Sequence, residues 1–297
     1  EEYSDSALII LNGVGTQNAN SIAKYQGEAL QNITDGSLYS VNYRNAPLDH
    51  QVITDKIIDL ADNNDINRIS IVGYSAGGNT GVDVALNIIK DSDIDVPTIV
   101  FNLTPDGVEG LQPDKQEDLK FVDTIASIPG ARYSKHLRFL AEVVSRMDQN
   151  PNADFWKTLR TTSDVVYNDQ LPGFNLMMDQ VMDIVESDIK SRLIEIGKIT
   201  RQENKLKPVI IYLAAEPGSD RVVNNQLSYE NICSYAQEAG LECIVIEIPD
   251  ITHDRPDVGA EEYLKSIIAS SDEINEALDQ AQAERDLRNQ LSGKDVG

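Results

Sequence analysis

The chain has 297 residues, of which 41% are hydrophobic and 25% charged, ordinary proportions for a globular protein that buries one large core or two small ones. Its formal net charge is −24, from 49 acidic and 25 basic side chains. Such a surface repels nucleic acid and anionic lipid head groups, and no run of apolar residues is long enough to span a bilayer as a helix.

The chain opens at Glu1 rather than Met. A cleaved export signal and trimming of the chain would each account for that. The compartment stays open, with a secreted or cell-surface setting as the first expectation and the cytoplasm as the alternative. Two cysteines, Cys233 and Cys243, are too few for a disulfide framework. One falls on a predicted helix and the other on the next strand, so two buried thiols are expected rather than a bridge.

In chain order, the continuous apolar run Ala7 to Leu11 suits a strand buried on both faces of a parallel sheet. A loop with two glycines, Asn12-Gly13-Val14-Gly15-Thr16, follows it. Ser21 to Asn32 reads as a helix with Ile22, Tyr25 and Ala29 on one side, and Leu38 to Tyr43 as a second strand. His50 to Asn63 is a helix with Val52, Ile53, Ile57 and Leu60 at helical spacing. The run Arg68 to Val72 then leads through Gly73-Tyr74-Ser75-Ala76-Gly77-Gly78 into a helix that turns Val82, Ala85, Leu86 and Ile89 inward.

A fourth strand, Val96 to Leu103, ends in the turn Thr104-Pro105-Asp106-Gly107. Strand–helix alternation of this kind implies right-handed crossovers and a doubly wound, mostly parallel sheet. The alternation stops between Leu111 and Asn204, where only helical patterns remain: Leu119–Ile128, Lys135–Met147, Ala153–Val166 and Leu176–Ile196. It resumes with a strand at Pro208 to Leu213, a helix near Tyr229–Ala239, a strand at Glu242 to Ile248 and a helix near Gly259–Ala269. Residues 271–297 read as a polar, weakly amphipathic surface helix or a tail. The expected organisation is a core of residues 1–110 and 205–270, a helical insert of 111–204, and the C-terminal stretch.

Gly73-Tyr74-Ser75-Ala76-Gly77 is Gly-x-Ser-x-Gly between a strand and a helix, the context of a nucleophile elbow. A serine hydroxyl needs a positioned base, and that base needs an acid to fix its tautomer. The chain holds only three histidines. His50 precedes the serine, and His136 sits beside Lys135 and Arg138 on what reads as a solvated face. His253 lies in a loop just past the last strand, where ligands meet an open α/β sheet, and is the expected base. Asp220, in the loop Glu216 to Val223 after the preceding strand, is the expected acid, with Asp106 as rival. Asp250, Asp254 and Asp257 lie too close in sequence to His253 to orient it. The backbone N–H groups of Ala76 and Val14, with Gly15 as the next choice to Val14, are the expected donors to an oxyanion.

On these residues the chain resembles the α/β-hydrolases. The features that carry the resemblance are Gly73-Tyr74-Ser75-Ala76-Gly77, the Asn12-Gly13-Val14-Gly15 loop, Gly218-Ser-Asp220-Arg-Val-Val223 and His253, in the order nucleophile, acid, base. It covers roughly residues 5–110 and 205–270, with the helical insert matching the family's variable cap or lid. The family's first two antiparallel strands have no counterpart, and its frequent His-Gly reads Asn12-Gly13 here. The resemblance implies hydrolysis of an ester, amide or thioester through an acyl-serine intermediate, with a carboxylesterase or lipase-like activity first. The alternatives are a peptidase or amidase, an acyltransferase using the same serine, and a non-catalytic binding protein.

All four methionines, Met147, Met177, Met178 and Met182, fall in the insert, with aromatic residues that include Phe155 and Trp156. They are expected first as the insert's own core, and they also suit a lid over an acyl group. The expected partner is a small ester or acyl substrate. No metal-ligand spacing stands out, and the chemistry requires no cofactor.

Overall fold

The structure is a computed structural model that describes residues 5–14, 19–34, 36–43, 47–117, 119, 136, 139, 143, 147, 154–167, 174–251, 253 and 259–292. Six strands, β1 (Ser6–Leu11), β2 (Ser37–Ser40), β3 (Arg68–Tyr74), β4 (Thr98–Asn102), β5 (Val209–Ala215) and β6 (Cys243–Ile248), form one sheet. Their order is β2–β1–β3–β4–β5–β6, and every neighbouring pair is parallel. The winding direction reverses between β1 and β3, which opens a crevice at the carboxyl ends of those two strands.

The helices are α1 (Asn20–Leu30), α2 (His50–Asn63), α3 (Gly77–Asp91), α4 (Phe155–Tyr167), α5 (Phe174–Val185), α6 (Ile189–Gln202), α7 (Asn225–Ala239), α8 (Ala260–Ala269) and α9 (Ser271–Ser292). Alternate strand residues face opposite layers. Ala7, Ile9 and Leu11 join Ile57 of α2, Val82 and Leu86 of α3, Leu193 of α6 and Ile232 of α7 in one core. Leu8 and Ile10 join Ile22 and Leu30 of α1, Tyr263 and Ile267 of α8 and Ile274 of α9 in the other. The central strands β1, β3, β4 and β5 are therefore buried along nearly their whole length, and mostly apolar, because both faces are covered.

Several expectations shift. β2 is shorter than the run Leu38 to Tyr43. Tyr25 and Val52, read as inward, are 39% and 54% exposed. Tyr25 lies at the margin of the buried face of α1, whereas Val52 shares the solvent face of α2 with Asp55, Lys56 and Asp59, opposite the buried Thr54, Ile57 and Ala61. The single helix expected over Leu176–Ile196 is two, because Asp188 caps a new helix by accepting from the Ser191 amide at 3.3 Å. The second of these, α6, buries Ile189, Leu193 and Ile196 in the core between α3 and α7. It is the crossover helix leading to β5. Most of the expected helices Leu119–Ile128 and Lys135–Met147 lie outside the described residues. Residues 271–292 are helical and pinned down: Arg285 grips Asp95 at 2.6 and 2.7 Å, and Arg288 donates to the carbonyls of Thr200 and Lys205.

Cys233 and Cys243 form a disulfide, with their Cα atoms 5.4 Å apart, instead of the two thiols expected. Gly240 is the reason. It ends α7 at φ +72°, the Leu241 amide returns to the Ala236 carbonyl at 2.9 Å, and the chain doubles back so that β6 starts against the helix it has just left. Cys233→Ser is expected to lower stability by about 2–3 kcal/mol, the closure entropy of so short a loop. Denaturant melts with and without reductant check this: reductant should shift the wild type toward the variant and leave the variant unmoved.

Candidate active site

Ser75 follows β3 directly and has φ +55°, a left-handed conformation that a non-glycine residue holds only when its surroundings impose it. Those surroundings are tight. A Cβ at Gly73 would stand 2.3 Å from the Gly77 carbonyl oxygen, and one at Gly78 would stand 2.2 Å from Thr104 Oγ1. The flanking glycines let strand and helix approach this closely, and the Ser75 amide then reaches the Asn102 carbonyl of β4 at 2.9 Å.

His253 Nε2 lies 2.8 Å from Ser75 Oγ, and His253 Nδ1 lies 3.1 Å from Asp220 Oδ2. A carboxylate only accepts, so Nδ1 carries the proton and Nε2 presents its lone pair to the serine hydroxyl. The imidazole side chain is 9% exposed and that of Asp220 is 2% exposed. Burial on its own would push the Asp220 carboxyl up. The hydrogen bond and charge of His253, with the amides of Val223 and Val222 at 3.0 and 2.8 Å, hold it below the usual carboxylate range. Asn225, itself buried, donates to Asp220 Oδ2 at 2.9 Å. Gln112 donates to the carbonyls of Asp220 and Val223 at 3.1 and 3.2 Å. Asn225 and Gln112 carry no sequence signal that would have singled them out, since neither lies in a motif.

The other candidates fall as follows. Asp106 faces α7, where it accepts from Asn231 at 2.6 Å and Ser228 at 3.4 Å, and it does not meet His253. Asp250 is exposed, and Asp254 and Asp257 lie outside the described residues. His136 is exposed. Ala76 is buried at the start of α3. Gly13 packs so closely on the serine that a Cβ there would stand 2.6 Å from Ser75 Cβ, which places the following residue, Val14, beside the elbow. The Gly13 amide is held by Asn12 Oδ1 at 2.9 Å, so the asparagine shapes this loop. Gly15 lies outside the described residues.

A second polar cluster joins α2, α3, α5 and α6. His50 Nε2 meets Asp183 at 2.9 Å and its Nδ1 meets Asp83 at 3.3 Å. Thr80 donates to Asp183 at 2.6 Å, and Arg192 pairs with Asp83 at 2.5 Å. Both ring nitrogens face carboxylates, so both donate and the ring is an imidazolium. Burial alone would lower the His50 pKa, but hydrogen bonds to Asp183 and Asp83 push it up to about 10. No group of three or more His, Cys, Asp or Glu suited to a metal ion occurs among the described residues. Nor is any described helix long and apolar enough to cross a membrane.

No protein-family model matches the sequence, and no curated protein does. Solved structures do. A proposed aryl esterase from Burkholderia cenocepacia is 16% identical, with 92% of this chain and 91% of that one covered at a TM-score of 0.50. RedJ, whose structure has a PEG molecule bound in the active site, is 11% identical, with 90% and 92% covered at a TM-score of 0.51. Identities this low speak for the fold and not for the substrate. Taken with the parallel sheet and its strand order, that coverage at both ends of each comparison gives the chain the α/β-hydrolase fold.

Proposed function

We propose that this protein is a serine hydrolase that cleaves carboxylic esters through an acyl-serine intermediate. The observation that carries the reading is the hydrogen-bonded row Ser75–His253–Asp220, with 2.8 and 3.1 Å links between residues from three separate loops at one rim of the sheet. In this reading Ser75 Oγ attacks the ester carbonyl carbon while His253 Nε2 takes the hydroxyl proton. Asp220 holds the ring in the required tautomer and stabilises the imidazolium that forms. The carbonyl oxygen gains a full negative charge, which the N–H groups of Ala76 and Val14 stabilise, aided by the N-terminus of α3. The tetrahedral adduct collapses, the C–O bond to the alcohol breaks, and His253 returns the proton to the leaving oxygen. Water then repeats the sequence on the acyl-serine: His253 removes its proton, the acid departs, and Ser75 regains its hydrogen.

The core of this enzyme would comprise the sheet and its two helical layers, including α6. Residues between about 111 and 188 would form a cap over the carboxyl rim. Trp156 and Phe155 open α4 and are 75% and 49% exposed, so part of the insert's apolar surface is not spent on its own packing. The test is direct. p-Nitrophenyl esters of short to medium chain are expected to be hydrolysed, and a fluorophosphonate probe to label the wild type and not Ser75→Ala. Persistent labelling of the variant would sink the reading, and turnover of peptide p-nitroanilides alone would replace esterase with peptidase.

A further inference from the structure

The base must sit within a fraction of an ångström of the hydroxyl it serves, and its own packing has to fix it there. Asp220 holds only the ring of His253. The other end of the residue, its backbone carbonyl, accepts a hydrogen bond at 2.5 Å from the hydroxyl of Tyr74. Tyr74 is the residue immediately before the nucleophile. It is 5% exposed, and its ring lies 5.6 Å from the imidazole, tilted by 43°.

We infer that Tyr74 is a positioning residue: its hydroxyl ties the main chain of His253 to the elbow, so that nucleophile and base are set by one rigid strand end. This deepens the function proposed above and rests on it. Three links then define the imidazole. Its ring is held by Asp220 on one side and faces Ser75 on the other, and its backbone is anchored by the neighbour of that same serine. Rotation about the side-chain torsions alone cannot carry Nε2 away while the backbone and Nδ1 are both fixed. Loss of the backbone anchor frees the whole residue to shift, and a shift of about 1 Å at a reacting group costs as much as 100-fold in rate. A role in substrate binding is not expected of Tyr74, since its hydroxyl is spent on the His253 carbonyl.

Tyr74→Phe removes one oxygen and keeps the ring, so the core packing of the elbow is preserved. The variant is expected to lower kcat roughly 10- to 100-fold with KM little changed, and to slow fluorophosphonate labelling by a similar factor, per mole of folded protein. With three histidines in the chain, ring nitrogen NMR isolates His253: its Nε2 resonance should move toward that of a solvated imidazole in the variant. A merely structural role would lower the melting temperature and leave both kcat and that resonance in place. Wild-type kcat and labelling rate in Tyr74→Phe would overturn the inference. If wild-type protein resists the probe altogether while Tyr74→Phe still displaces the His253 resonance, the hydrolase reading fails and the anchoring stands.

Discussion

His253→Ala is expected to reduce kcat on a p-nitrophenyl ester by about 10⁶-fold, and Ser75→Ala by about the same factor. The two losses should not add. Without the base the hydroxyl is a poor nucleophile, and without the hydroxyl the base has nothing to deprotonate, so the double variant should be no slower than either single one. Asp220→Asn should cost about 10⁴-fold, because an amide N–H facing Nδ1 favours the tautomer that puts the proton on Nε2, where it blocks the serine. Steady-state rates per mole of folded protein check all four variants. A His253→Ala protein that keeps roughly a tenth of the wild-type rate would remove the imidazole from the reaction.

Asp220 also has a signature in stability. Its folded-state pKa lies below the ordinary 3.8, so its contribution to stability is present above that value and is lost as pH falls through the folded one.

The second large effect is structural. His50→Gln is expected to destabilise the protein by about 2–3 kcal/mol, because it leaves Asp83 and Asp183 facing each other without the cation between them. The figure sits below the range for fully buried pairs, since the His50 side chain is 25% exposed and those of the two aspartates are 23% and 17% exposed. For a chain of this size the melting temperature should fall by about 5 °C. The sign of the pH dependence is definite. The His50 pKa is raised from 6.5 to about 10 in the fold, so the stabilisation is complete below pH 6.5, declines above it and is gone once pH has risen through 10. Denaturant melts at pH 6, 8 and 10 check this: the gap between wild type and His50→Gln should close as pH rises. A constant gap would mean that packing, not charge, is what His50 supplies.

The parts of the fold that local pattern controls were legible in the chain. β1, from Ala7 onward, and β5 are unbroken apolar runs because both faces of a parallel strand are covered, and α2 spans His50–Asn63 as its periodicity says. The Gly-x-Ser-x-Gly context placed the serine after β3, and the scarcity of histidine narrowed the search for a partner to three residues. What pattern missed was decided by distant neighbours. Val52 reads with Ile53, Ile57 and Leu60 in the sequence, yet it lies with Asp55, Lys56 and Asp59 on the face of α2 against which nothing packs. Leu176–Ile196 holds one periodicity across a break that only the cap at Asp188 reveals. Cys233 and Cys243 look like isolated thiols until Gly240 turns β6 back against α7.

The amino-acid order by itself determined which side chains the protein has to work with: a serine in a strand–turn–helix motif bracketed by Gly73 and Gly77, and a doubly wound sheet to carry it. Local sterics and hydrophobic periodicity act over a few residues, so they can be read from a few residues. Only the tertiary structure decided which aspartate meets His253, that His50 lies between two carboxylates, and that the Tyr74 hydroxyl reaches a carbonyl 179 positions away. Those contacts join groups that share no local pattern, and they exist because the sheet brings the carboxyl ends of separate strands to one rim.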